Sequence, residues 1–95
     1  MVFLSVEVEP APGRIETLEY GGAFVSVWVR VSDVDHALRI AESALSGWGW
    51  RTVTVEEKRL VKREDFAEPE SIESFDQAFQ DGEAYFFDAY PAGSN

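Results

Sequence analysis

Residues Ala23 to Val31 alternate without a break: Val25, Val27, Val29 and Val31 fall on one side, and Phe24, Ser26, Trp28 and Arg30 on the other. A period of two over that length is a β-strand whose valine face lies in a core. The residues after it narrow the choice further. Ser32 stands as an N-cap, Asp35 three positions on completes a capping box, and Asp33 lies at the positive end of the helix dipole. Val34, Ala37, Leu38, Ala41 and Leu45, widened by Ile40 and Ala44, then form one apolar stripe at helical spacing. Gly47 supplies a left-handed terminal residue, so the helix closes near Ser46. Alternation resumes from Trp48 to Val55. A strand-helix-strand unit from about Gly22 to Val55 therefore organises the chain. If its two strands are parallel, so short a crossover leaves room for a third strand between them, supplied by the N- or C-terminal segment.

Val2, Leu4, Val6 and Val8 alternate with Phe3, Ser5, Glu7 and Glu9, which makes a first strand ended by Pro10, Pro12 and Gly13. The pattern from Arg14 to Tyr20 fits a short edge strand and a loop equally. After Val55 the phase breaks over Glu56 to Arg59 before Leu60 and Val61, which calls for a bulge or turn. Ala67 to Ser71 reads as a polar connector around Pro69. Ile72, Phe75, Ala78 and Phe79 recur at helical spacing until Gly82, and Glu83 to Tyr90 is an aromatic strand with Tyr85, Phe86 and Phe87. Pro91 ends it, and Ala92 to Asn95 form a frayed tail. The element order is β-β-α-β-α-β. It predicts one α+β domain over residues 1–91: a four-stranded mixed or antiparallel sheet with two helices on one face, ferredoxin-like in outline.

A chain of 95 residues holds one core, burying about two-thirds of the surface its unfolded form exposes. With no cysteine, disulfides, thiolate zinc sites and cysteine nucleophiles are excluded. The N-terminal apolar run is interrupted by Ser5 and Glu7 and lacks a basic flank, so it reads as a strand of a cytoplasmic protein. The net charge of −10 is unevenly spread, because no Lys or Arg occurs from Glu64 onward. Polyphosphate binding needs cations to displace counterions, so nucleic acid and anionic membranes are poor partners for this surface.

The run Val25-Ser26-Val27-Trp28-Val29-Arg30-Val31, the Ala37 to Leu45 helix, the joint Gly47-Trp48-Gly49-Trp50 and the strand Asp81-Gly82-Glu83-Ala84-Tyr85-Phe86-Phe87 resemble a group of small uncharacterised bacterial α+β proteins, a domain of unknown function. The resemblance covers about Gly22 to Pro91. It implies a bacterial cytosolic setting and carries over no catalytic or binding residue.

Few groups invite chemistry. Asp33, Asp35 and His36 have the donor types of a metal or acid/base site, but capping and the dipole account for both acids. Glu70, Glu73 and Asp76 read as a solvated helix face. Lys58, Arg59, Lys62 and Arg63 form one basic cluster suited to ion pairs within the domain or across a subunit interface. Nucleophile elbow, phosphate loop, dinucleotide fingerprint and zinc spacing are all absent from the sequence. The expectation is therefore a non-enzymatic protein-interaction domain with no cofactor. If the valine face meets the helices, Phe3, Phe24, Trp28, Trp50 and Phe86 share the opposite face, a bare aromatic surface suited to a homodimer. The alternatives are a small-molecule binder on that face, with Arg30 or Arg51 orienting an anionic ligand, and an acidic inhibitor or antitoxin-like protein presenting Glu64 to Asp88 to a basic partner. The competing assignment for the face is cover by the Pro10 to Tyr20 loop or the C-terminal tail.

Overall fold

The computed structural model describes residues 1–12 and 20–91. Its elements are β1 (Val2–Pro10), β2 (Tyr20–Val29), α1 (Val34–Gly47), β3 (Trp50–Leu60), α2 (Pro69–Asp81) and β4 (Glu83–Pro91), with a short 3-10 turn over Arg63–Asp65. The questions whether 14–20 pair as a strand and whether 92–95 fray lie outside the described residues, except that Tyr20 opens β2. The sheet order is β3-β1-β2-β4, and all three pairings are antiparallel. Because β2 and β3 both run against β1, they are parallel to each other. The crossover through α1 thus spans one strand, and the N-terminal strand fills the gap.

The phase break in β3 is a pair of bulges. Register shifts lie between Ser5 and Val6 and between Glu7 and Val8, leaving Glu56 and Val53 of β3 without partners. Each extra residue restores the alternation on its far side. The strand consequently continues to Leu60 instead of stopping at Val55.

Two helix ends move relative to the sequence reading. Asp33, not Ser32, caps α1: its Oδ1 accepts the backbone N–H of Asp35 at 2.9 Å and of His36 at 3.3 Å. A carboxylate that reaches two of the unpaired amides, and adds negative charge at the dipole's positive end, outcompetes the hydroxyl one residue earlier. At the other end α1 runs through Gly47, and the positive φ belongs to Gly49, at 93°. Helix α2 starts at Pro69 itself, since the first helical residue has no use for an N–H and proline's φ already suits it.

Both sheet faces are covered in part, by different helices. Val2, Leu4, Val6 and Val8 of β1 and Ala23, Val25, Val27 and Val29 of β2 bury against Ala37, Ala41 and Leu45 of α1. The opposite parity positions Phe3 and Trp28, which are register partners, bury instead with Val61, Ala78 of α2 and Ala84 of β4. The expected pair of helices on one face is corrected: α1 and α2 lie on opposite faces, so the ferredoxin-like outline is not reproduced. The reason is packing. The valine face is already filled by α1, whereas Phe3 and Trp28 present two large rings on the other side that must leave water.

Candidate functional site

The five residues assigned to one bare face separate into three places. Phe3 and Trp28 are buried, at 9% and 2% exposure. Their rings meet edge-on at 5.0 Å, and Phe66 lies 5.6 Å from the first and 5.8 Å from the second. The Arg59 guanidinium sits 5.5 Å above the Phe3 ring. Residues 61–66 and α2 therefore cover this end of the face, which is core and offers no contact surface. Phe24 and Phe86 stay exposed on the uncovered remainder of that face, Phe24 leaning on Tyr90 at 5.6 Å. Trp50 points to the α1 side instead, where it packs against the valine core.

A different aromatic constellation forms on the α1 side. Along β4 the residues Glu83, Tyr85, Phe87 and Ala89 share one parity, opposite Val29, Val27, Val25 and Ala23. Trp48, the residue that ends α1, sets its ring edge-on to Tyr85 at 4.9 Å and 6.2 Å from Phe87. Trp50 opens β3 at one edge of the sheet and Phe87 lies in β4 at the other, yet their rings come within 5.9 Å across the two central strands. Together these side chains line an open groove of about 600 Å³ flanked by Gln77 of α2. Trp48 is half exposed and Phe87 over a third exposed, so the rings pack on each other and still face solvent.

The polar chemistry of the groove is one hydrogen bond and one carboxylate. Tyr85 Oη donates to Glu83 Oε1 at 2.9 Å. Burial first, and that bond second, raise the Tyr85 hydroxyl well above its ordinary pKa, so it stays a neutral donor. Among the described residues Glu83 makes no ion pair, the three that form being Arg51 with Glu9, Arg59 with Glu57 and Arg63 with Asp76. Among the described residues no Lys, Arg or His lines the groove.

Family models, curated proteins and solved structures give no match to this chain. Its chemistry is left to the residues themselves.

The remaining candidates resolve into structural roles. Asp33, Asp35 and His36 are the cap of α1 already described, and among the described residues no group of three or more His, Cys, Asp or Glu is placed to hold a metal ion. Arg63 grips Asp76 through two bonds, 2.8 and 3.1 Å, which pulls two members of the basic and acidic sets together across the Phe66 connector. Arg30 and Arg51 also have partners: Arg30 donates to the Phe79 carbonyl and Arg51 pairs with Glu9. No helix among the described residues is long and apolar enough to cross a membrane.

Sequence reasoning put Trp50 on the face of Phe3, Phe24, Trp28 and Phe86, gave Trp48, Tyr85 and Phe87 no site role, and missed that these four converge.

Proposed function

We propose that this chain is a non-enzymatic protein-interaction domain whose contact surface is the groove of Trp48, Trp50, Tyr85 and Phe87 beside β4. The observation that carries the reading is the solvent exposure of Trp48 and Phe87, backed by the partly buried rings of Trp50 and Tyr85. Large aromatic side chains with solvent-facing edges, gathered in one concavity, are the usual anchors of a binding partner. Among the described residues the groove's polar side chains are Gln77, Glu83 and Tyr85, the tyrosine held protonated, a set that suits binding.

The test is selection of a displayed random-peptide library on the native domain and on Trp48→Ala/Phe87→Ala. Sequences enriched on the native domain should disappear on the variant. Equal recovery on both, or no enrichment on either, would overturn the reading.

A second reading, the homodimer, is favoured by the outer edge of β4. Among the described residues that strand pairs only with β2, and it carries Phe86 on one face and Phe87 on the other, both exposed. An unpaired edge of nine residues is a template for a further strand, here from a second copy. Light scattering over a dilution series separates the readings, because only the dimer changes mass without added partner.

A further inference from the structure

We propose that the groove binds an extended, lysine- or arginine-bearing segment of a partner protein, with a cationic side chain seated over Trp48, beside Tyr85 and Glu83. This rests on the groove being the contact surface, and it names the partner's chemistry. Four observations converge on a cation. The rings present π faces and edges to an open concavity, and an ammonium or guanidinium is attracted to an aromatic face. Glu83 stands in the same row of β4 with no ion pair and keeps lone pairs beyond the one that Tyr85 occupies. The C-terminal, electronegative end of α1 adjoins the site through Trp48, and no basic residue occupies its last turn. The chain as a whole carries −10, which draws in a basic partner and opposes an acidic one.

The form of the occupant follows from the surroundings. The groove is lined by β4, whose outer edge pairs with no other strand among the described residues. An extended peptide satisfies that edge by backbone pairing and drops alternate side chains onto the Glu83, Tyr85, Phe87 and Ala89 row. A free amine has no use for the edge. Spacing two residues apart between cationic positions would match the spacing of the row.

The experiment is a fluorescence titration of the full chain, in which Trp48 and Trp50 report on the groove while Trp28 is buried. The probes are a synthetic peptide alternating lysine with threonine, the same peptide with glutamate for lysine, and tetramethylammonium chloride. The lysine peptide should bind saturably, and weaken about tenfold from low to high salt as the charges are screened. Trp48→Ala should weaken it by about tenfold, and Glu83→Gln by several-fold, with circular dichroism unchanged in both. Tetramethylammonium should bind far more weakly than the peptide. Equal binding of the glutamate peptide with the same dependence on Trp48 would overturn the cationic assignment and leave the interaction reading standing. Tetramethylammonium binding as tightly as the peptide would overturn the extended segment as the source. If library selection yields no Trp48-dependent sequence and no probe binds, both fall together.

Discussion

Gly22 shows how much a single position can owe to its neighbours. Tyr90, its register partner on β4, lays its ring over β2 so that Oη donates to Glu7 Oε2 of β1 at 2.7 Å. A Cβ at position 22 would meet the Val8 carbonyl oxygen at 2.5 Å and Tyr90 Cζ at 2.7 Å. Gly22→Ala should therefore cost about 1–3 kcal/mol by overpacking, read as a lower denaturant midpoint. Truncating Tyr90 should not rescue it, because the Val8 carbonyl is backbone and cannot step aside. Trp28 and Phe86 form a second contrast. They have the same parity and were assigned the same role, yet one is buried under Phe66 and the other half exposed. Trp28→Ala should cost about 3–5 kcal/mol. Phe86→Ala should cost under about 1 kcal/mol. Equal losses in chemical denaturation would contradict the placement of α2. The alternation in β2 revealed that Phe24 and Trp28 lie opposite the valines. It could not reveal which of them is covered, since that depends on a segment nearly forty residues later.

At the scale of elements, the two helices end on glycines of opposite kinds. Gly47 is the last residue of α1, and a Cβ there would touch nothing within 4 Å. Gly82 caps α2 with φ at 100°. Gly47→Ala should raise stability by about 0.5–1 kcal/mol through the lower entropy of the unfolded chain. Gly82→Ala should lower it by about 1–2 kcal/mol, the cost of a left-handed conformation for a side chain with Cβ. Thermal unfolding of the pair should show shifts of opposite sign. The link between the 3-10 turn and α2 is set by charge. The Arg63 fork, through its hydrogen bond first, holds the Asp76 carboxyl below the usual carboxylate range. A carboxyl whose folded pKa lies below its unfolded value, about 3.9, stabilises the fold above that pH. The contribution is lost as pH falls through the folded pKa. Native and Asp76→Asn midpoints should thus differ slightly at neutral pH, as suits an exposed pair, and converge in acid. A constant difference down to strongly acid pH would assign Asp76 no such role. The α1 stripe, the phases of β1 and β2 and the bulge at Glu56 were legible from periodicity, but the bulge at Val53 was not, since it falls inside a run that alternates in sequence. The caps were legible only to within a residue or two, because Ser32 and Asp33, or Gly47 and Gly49, compete for one job over short distances.

For the whole molecule, charge decides between the two modes of association. Each copy carries −10, so pairing two β4 edges must work against repulsion that salt screens, whereas a basic segment is attracted and salt weakens it. Mass measured at rising salt should therefore grow if copies pair through β4, and peptide affinity should fall under the same change. A mass that stays at one copy throughout would remove the homodimer reading. Trp28→Asp cannot serve as the monomerising variant that a bare Trp28 face would call for. It would bury a carboxylate among Phe3, Phe66 and Ala78 and unfold the domain.

Local pattern was enough to establish the strand-helix-strand unit, the α+β class, the valine core and the lack of any cysteine chemistry, since each depends on residues a few positions apart. Which face receives α2, and where the aromatic side chains meet, was decided only in three dimensions. The helix leaves an edge strand, from which both faces are equally near, and its side is chosen by the unfilled rings of Phe3 and Trp28. Trp48 and Phe87 are separated by a strand, a connector and a helix, so no periodicity relates them. Their groove exists because the rings of Trp50 and Phe87, on opposite edge strands, reach over β1 and β2 to meet, with Trp48 closing on Tyr85 beside them.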